Sequence, residues 1–493
     1  MKEQSKLSKV LSILLSVVLV ISSFYLLYQV IRLNVLPSKF LFPLTIGVVV
    51  LDAIFILLLI YFSKNVVSKI VCIVLTLFIC VASCMGGYYI SKTQNVLSSI
   101  TNVAKHAKNT VSVIVKESSS IKNKSQLNGV SVGSLRLNEQ GSKKALKELS
   151  GEGIVLNQKE YDSMTALLEA FYNGEVDSII INESSRSQIL DMETYSNFDS
   201  NTRVVYQTSY KVKNNDSATS VSDITSKPFN VLISGSDTRG GFDENGRSDV
   251  IMIATVNPKT HTILLTSVPR DFYVTTACDA GDGCMQGALD KITHTGIHGT
   301  NTTKRTVEQL LGIEINYTFK VGFDTVTKLV DTLGGVDVYV EPGYAVHNEY
   351  INVKEGVNHL YGEEALEYAR ERYAYAEGDR QRTKNQQQVL MGIVKEATKP
   401  SVITNYAAIM DTMANTFSTT MSNEEITDLI KYQLNNNPTW KMEQYMVDGT
   451  GDTLMCAELG DAASVMVPDQ STVKMAKDKI NAVLAGKSSE DVK

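Results

Sequence analysis

Carboxylates paired with arginines recur at the ends of three apolar runs between residues 229 and 271. Residues 229–234, 250–256 and 262–268 are β-rich and nearly continuous in apolar side chains, the pattern of buried strands. Asp237 and Arg239 follow the first run, Arg247 and Asp249 lead into the second, and Arg270 and Asp271 close the third. Aspartates of this kind ligate a hard cation, and guanidinium groups beside them match phosphate oxygens. The chemistry expected of the stretch is therefore that of a metal ion and a phosphate.

A second charged group follows a hundred residues later. Arg370 and Arg372 are two apart, so they share one face only if the chain there is extended. A helix over 363–369 that stops near Ala369 would aim both at one anion. In GDRQRTKNQQQ (378–388), Arg382 and Gln386 are four apart at the start of a helix expected over 383–397, hence on one face. A helix N-terminus also offers free N–H groups to phosphate. Arginine suits this work better than lysine because its planar fork reaches two oxygens at once. Taken singly, each of these residues reads more readily as solvated surface charge, and the aspartates as turn residues.

The elements that must position these groups fall into three regions. Residues 10–31, 41–62 and 66–90 are each long and apolar enough to span a bilayer. Lys2, Lys6 and Lys9 precede the first, which places the N-terminus in the cytoplasm and everything after the third span outside. Asp52, inside the second span, is costly there and has no partner legible in the sequence. A polar, helix-compatible segment leads away from the third span. Strands at 110–116, 130–137 and 176–181 and helices at 141–149 and 162–172 then predict a small α/β accessory domain. It carries no cluster of His, Cys or paired carboxylates, and residues 211–227, rich in Ser, Asn, Asp and Thr, read as a linker.

From 228 the chain again mixes strands (317–321, 336–340, 440–447) with helices (302–311, 323–333, 402–417, 424–434, 473–484). Gly312 and Gly334 are the expected helix stops. The expected fold is thus an α/β (mixed α-β-α) extracytoplasmic catalytic domain at 228–485. Before it come three transmembrane helices in 1–90 and an accessory α/β domain with its linker in 91–227; a polar tail, 486–493, follows.

The composition narrows the partners. A net charge of −6 lacks the basic face that nucleic-acid binding needs. Six cysteines, three of them within apolar residues 66–90, make no disulfide scaffold. Cys278 and Cys284 bracket a short Gly/Asp loop and read either as free thiols or as a pair.

The motifs SDTRG, GRSDV, TSVPRD, LLGIEINYTFKVGFDTVTKLVDTLGGVDV, GEEALEYARER and GDRQRTKNQQ, in that order, resemble the LytR–CpsA–Psr family over about 228–400 and more weakly to the end. The membrane spans and the accessory region look like its capsule-locus members. The resemblance implies a transferase that moves capsular polysaccharide or a similar glycopolymer from a polyprenyl-pyrophosphate carrier to peptidoglycan at the cell membrane. It implies Mg²⁺ on Asp237 and Asp249. Phosphate contacts would come from Arg247, Arg270, Arg370, Arg372 and Arg382, with Gln386 as an orienting donor. Asp237, Arg247, Arg270 and Arg372 are the catalytic candidates, Asp237 also as acceptor of a proton. Many relatives carry Arg where this chain has Asn385.

Such chemistry needs positioning and charge stabilisation above all, which a metal and arginines supply. Apolar helices such as residues 389–394 are candidates to line a channel for the lipid. Two other readings compete. One is a phosphatase that hydrolyses the same carrier with water. The other is a non-enzymatic membrane regulator of capsule synthesis, which would act through other capsule-synthesis membrane proteins, since about nine residues before the first span leave no room for a DNA-reading motif.

Overall fold

The computed structural model describes residues 6–62, 65–101, 106–136, 139–236, 244–279, 284–399, 402–414 and 417–493. They form two compact units. One runs to Thr101 and also includes Glu396–Ala414 and Ser422–Thr439; the other holds the remaining described residues.

The first unit begins with α1 (Lys6–Leu33), α2 (Ser38–Leu57, prolonged by a π turn to Phe62) and α3 (Val66–Thr101). All three are long and apolar enough to cross a membrane. Their apolar side chains are exposed along most of their length, as a lipid-facing surface requires. Helix α3 runs well past the apolar stretch because SKTQNVLSSIT contains no Gly or Pro to stop it. Asp52 has a partner here: the Ser23 hydroxyl donates to its Oδ1 at 2.9 Å.

In the second unit, β1 (His106–Lys116), β2 (Ser131–Leu135), β3 (Asn157–Tyr161), β4 (Ser178–Asn182) and β5 (Thr202–Lys213) make a sheet in the order β3-β2-β4-β1-β5. The β2 strand is parallel to β3 and β4, and β1 is antiparallel to β4 and β5. Helices α4 (Glu139–Gly151) and α5 (Met164–Asn173) cover it, followed by the short α6 (Arg186–Asp191) and α7 (Phe198–Asn201). Both faces of β1 are buried. Val111 and Val113 pack with Ala145 and Leu149, while Ile114 packs with Leu167 and Phe171. That explains the near-continuous apolar run TVSVIVK.

Residues 214–227 are not a free tether. Thr219 N–H donates to the Asn316 carbonyl at 2.9 Å, Val221 N–H to the Tyr317 hydroxyl at 2.9 Å, and Ile224 is buried.

The next sheet has six strands, in the order β16 (Phe417–Thr419), β11 (Tyr317–Gly322), β6 (Phe229–Ser236), β7 (Ser248–Asn257), β8 (Thr262–Val268) and β17 (Lys441–Met446). Its centre is β6 (Phe229–Ser236), β7 (Ser248–Asn257) and β8 (Thr262–Val268), joined antiparallel. After β9 (Tyr273–Thr275), β10 (Leu289–Lys291) and α8 (Thr300–Leu311), β11 (Tyr317–Gly322) returns parallel to β6. Then α9 (Phe323–Leu333) is stopped by Gly334 at φ 89°, a left-handed cap that favours glycine. The strands β12 (Val336–Val340), β13 (Val346–His347), β14 (Asn352–Val353) and β15 (Gly356–Leu360) follow, then α10 (Gly362–Arg370) and α11 (Asp379–Ala397). After α12 (Val402–Met413) comes β16 (Phe417–Thr419), then α13 (Asn423–Asn436). The chain ends with β17 (Lys441–Met446), the hairpin β18 (Gly449–Cys456)–β19 (Asp461–Pro468) and α14 (Gln470–Leu484).

Two cores support this region. Leu232, Ile251, Ile253 and Leu264 of the sheet pack with Val307 of α8 and with Ala476 and Ile480 of α14. Val330, Val336, Val338, Ala365, Tyr368 and Val389 tie α9, β12, α10 and α11 together. The β18–β19 hairpin does something else. Its Cys456, Leu459 and Val465 enter the core beneath α5, among Leu167, Phe171 and Ile189. Helices α12 and α13 belong to the membrane-helix unit. There Lys92 of α3 pairs with Asp411 at 2.8 Å, and the Thr101 hydroxyl donates to Asn423 at 2.6 Å.

The candidate anion site

The start of β7 is fixed by a run of buried hydroxyls. Ser248 Oγ lies 3.0 Å from Ser234 Oγ on β6 and 3.1 Å from Thr303 Oγ1 on α8, and Thr295 donates to Thr303 at 2.9 Å. Because a strand alternates, burying Ser248 turns Arg247 and Asp249 to the other face. The 3₁₀ segment Ile292–His298 lies against this point at Gly296. A Cβ there would sit 2.5 Å from the Gly246 carbonyl, so only glycine permits the approach. The same segment is stitched to the end of β8: Thr293 N–H donates to the Arg270 carbonyl at 3.0 Å.

Around that junction the charges converge. Arg270 Nη1 donates to Asp249 Oδ1 at 2.9 Å, and Thr293 Oγ1 donates to the same oxygen at 3.3 Å. Arg247 Nε is 3.9 Å from Asp249 Oδ1, and its Nη1 pairs with Asp191 at the end of α6. Lys291 Nζ contacts Asp271 Oδ1 at 3.1 Å, and Arg382 pairs with Asp379 in the first turn of α11. The side chains of Arg247, Arg270, Arg382 and Asp249 are all at least 84% buried, being 11%, 16%, 13% and 13% exposed.

The two charged clusters of the sequence meet here. Burial works against the Arg270 cation, but Asp249, Asp271 and also Asp379 more than offset it and raise its pKa. Arg382 is depressed, first by burial; Asp379 opposes that, while Arg270 and Arg372 push the same way. Asp271 sits in burial that alone would raise it, yet Lys291 and Arg270 hold it below the usual carboxylate value, with Arg382 adding to them. The end of β8, the segment after α10 and the start of α11 thus lie within electrostatic reach of one another.

Three donors in that cluster are left over. Arg247 Nε, Arg270 Nε and Arg382 Nε are buried and have no hydrogen-bond partner among the described residues. Burying a polar hydrogen without a partner costs about 1–3 kcal/mol, more for a charged group. Three within one cluster mark a place suited to an acceptor that the described residues do not supply.

The other expected residues are placed as follows. Asp237 lies outside the described residues. Arg372 stacks on Tyr373 at 4.7 Å and donates to its hydroxyl at 2.6 Å, and Arg370, the last residue of α10, packs over Phe323 at 5.5 Å. Helix α10 thus includes Arg370 and ends there; Glu371 is extended. Gln386 is half-buried, one turn after Arg382. Asn385 is fully buried: its amide donates to the Tyr368 carbonyl at 3.0 Å and the Tyr375 hydroxyl at 3.2 Å. It holds α11 to α10 and to the chain that follows it.

Residues not singled out from sequence also matter. Asp379, Lys291 and Thr293 complete the cluster, and Gln387 seats α11 on the sheet. Asp379 had a faint signal, an acid in a first helical turn beside a basic motif; the others had none. Cys278 and Cys284 are joined as a disulfide. Among the described residues no three His, Cys, Asp or Glu side chains stand close enough to hold a metal ion by themselves.

Residues 194–482 match the model of the LytR_cpsA_psr family. The polyisoprenyl-teichoic acid–peptidoglycan teichoic acid transferase TagU of Bacillus subtilis (strain 168) is 34% identical over 203 residues, 41% of this chain and 63% of that protein. Its Bacillus licheniformis counterpart is 32% identical over 226 residues, 46% of this chain and 70% of that one. The chain therefore spans 63% to 70% of the length of these curated relatives. The crystal structure of B. subtilis TagU covers 52% of this chain and 97% of its own, with 29% identity and a TM-score of 0.41.

Proposed function

The chain belongs to the LytR_cpsA_psr family, and on that premise we propose that it is a membrane-anchored transferase. It moves a glycopolymer, capsular polysaccharide or one like it, from a polyprenyl-pyrophosphate carrier to peptidoglycan on the outer side of the cell membrane. The observation that carries this reading is the set of three buried Nε donors, of Arg247, Arg270 and Arg382, that have no hydrogen-bond partner among the described residues. A pyrophosphate supplies several acceptor oxygens in a small volume, and buried arginines bind such oxygens far better than water-exposed ones do. The relatives' names, which specify a polyisoprenyl-linked donor and a peptidoglycan acceptor, point the same way. Three apolar helices and the lysines before the first favour an external catalytic region beside a membrane that holds the lipid.

The acceptor sugar hydroxyl attacks the phosphorus attached to the glycopolymer. The bond from that phosphorus to the bridging oxygen breaks, and polyprenyl phosphate leaves with the electron pair. The hydroxyl proton passes to a base, for which Asp237 is the candidate. Arg270, held by Asp249 and Asp271, and Arg382, held by Asp379, neutralise the charge that builds on the phosphoryl oxygens; Arg247 and Arg372 flank them. Arg370 and Gln386 complete the set as outer contacts.

Mg²⁺ fits the residues present. Asp249 spends Oδ1 on Arg270 and Thr293, which leaves Oδ2 without a hydrogen bond among the described residues. One or two carboxylates suffice for Mg²⁺ when phosphate oxygens and waters fill its shell. When bound by Asp249 and Asp237, the ion would supply Lewis-acid polarisation of the pyrophosphate.

The test is reconstitution of the full chain in nanodiscs with a lipid-linked glycan and peptidoglycan. Glycan covalently attached to peptidoglycan, lost on Arg270→Ala, is the expected result. Released phosphate with no attachment would replace the transferase by a phosphatase. Neither attachment nor release would leave only a non-enzymatic role.

A further inference from the structure

The ion pair between Arg247 and Asp191 joins two parts of the chain that the reaction alone would not require to touch. Arg247 leads into β7 of the six-stranded sheet, and Asp191 ends α6 in the accessory region. A carboxylate in the last turn of a helix opposes the helix dipole, so Asp191 does nothing for α6 itself. Its backbone is nevertheless held firmly. Arg186, one turn earlier, is locked to Glu183 and Asp199, and Ile189 is fully buried in the core shared with the β18–β19 hairpin.

The two partners differ in exposure: the Arg247 side chain is 11% exposed and that of Asp191 is 53%. The acid therefore reaches from the rim to a buried guanidinium whose Nε lacks a hydrogen-bond partner among the described residues. A half-exposed carboxylate is a weak partner compared with a phosphate that meets a guanidinium with two oxygens.

We propose that Asp191 is an anion placeholder: it occupies Arg247 in the free protein and yields it to the donor's pyrophosphate. The inference rests on the reading of the pocket as a lipid-pyrophosphate site. It makes Asp191 a positioning residue, acting on the donor only through Arg247. It also gives the accessory region a share in donor affinity, because that region alone delivers the acid. After transfer, Asp191 takes Arg247 back and so assists release of the polyprenyl phosphate product.

The test uses the full chain in nanodiscs, with undecaprenyl pyrophosphate as the binding probe and the transfer assay for kcat and KM. Asp191→Asn should tighten probe binding about two- to fivefold, the size set by freeing a half-exposed ion pair. KM for the donor falls with it, and kcat does not rise, since product release slows. Asp191→Glu, which can still reach Arg247, should restore wild-type binding. In an Arg247→Ala background, Asp191→Asn should have no effect. Unchanged or weaker binding by Asp191→Asn overturns the proposal, as does an equal effect with Arg247 absent. If Arg270→Ala also bound the probe like wild type, the pyrophosphate reading of the pocket would fall as well, so the two failures are distinguishable.

Discussion

Two buried sets of arginine in this molecule look alike by residue type and burial and differ in how their hydrogens are spent. In the accessory region, Arg186 donates from Nε to Glu183 at 2.6 Å, from Nη2 to Glu183 at 2.8 Å and from Nη1 to Asp199 at 2.9 Å. Its guanidinium is enclosed and paired on every edge. In the candidate anion site, Arg247, Arg270 and Arg382 have carboxylates beside them, yet their Nε has no partner among the described residues. On the function proposed above, a structural arginine closes its own network, and an arginine meant for a ligand is buried with a donor in reserve. The remaining donors, more than burial or charge, would then separate the two roles.

Removing one arginine from each set tests that distinction most strongly. Arg186→Ala leaves Glu183 and Asp199 without their cation in a partly closed site. It should destabilise the fold by about 3–5 kcal/mol, seen as a fall in the midpoint of chemical denaturation, while transfer per folded molecule stays at the wild-type level. Arg270→Ala should differ in activity. Transfer per folded molecule should fall by about 10²–10³-fold, as for loss of one donor to a developing oxyanion, on top of the stability lost when Asp249 is left without its cation. If Arg186→Ala abolished transfer in protein that is still folded, or Arg270→Ala left transfer intact, the count of spare donors would not be a guide to function.

A carboxylate offers the mirror case. Asp216 follows β5 near Lys320 of β11 and Lys304 of α8, and its Oδ1 is buried with no hydrogen-bond partner among the described residues. Burial pushes its pKa up to about 6, although Lys320, the Asn301 backbone, Lys304 and Asn214 pull it down. The folded state thus holds this proton more tightly than the unfolded chain, whose aspartate titrates near 3.9. Stability is therefore greatest below the unfolded value and falls as pH rises towards and through about 6, by about 3 kcal/mol in all. Asp216→Asn should remove that component. Unfolding midpoints of the variant and wild type should converge near pH 4 and separate by pH 7.5, with the variant the more stable. A constant difference across that range would mean that Asp216 does not titrate in the fold. Its position near neither set of arginines also predicts no change in transfer.

How much of this was legible in the sequence depends on whether a feature is local. The strands 229–234, 250–256 and 262–268 were readable because full burial leaves unbroken apolar runs. Helix 323–333 and strand 336–340 were readable to the residue, because amphipathic spacing and Gly334 mark their ends. The β18–β19 hairpin was not foreseen. Its side chains are mostly small or exposed, and its few buried ones, Cys456, Leu459 and Val465, serve a core formed three hundred residues earlier. Strand β5 was missed for a related reason: it is only half-buried, and its last residues have a linker's composition. Arg247, Asp249, Arg270 and Arg382 stood out through their spacing. Asp191 and Lys291 did not, because no local pattern shows which distant charge a lone acid or lysine will meet. Spare donors are visible only in three dimensions.

The smallest effect should come from the contact that seats α11, and with it Arg382, on the sheet. Gln387 is buried, and its amide donates to the Leu265 carbonyl at 3.3 Å, Ser267 Oγ at 2.9 Å and the Tyr445 carbonyl at 2.8 Å. It thus grips β8 and β17 at one point, five residues after Arg382 on the same helix. Unlike the arginines, Gln387 meets acceptors of the protein alone, so it belongs with Arg186 in the closed class despite lying beside the pocket. Gln387→Ala should cost about 1–3 kcal/mol through the acceptors it leaves unpaired, with a loss of transfer that appears in kcat as Arg382 shifts. Gln387→Glu should cost at least as much, because a carboxylate cannot donate to those carbonyls. Were either variant to lose donor binding while keeping full stability, Gln387 would be a ligand contact, and proximity to the pocket rather than spare donors would be the better predictor of function.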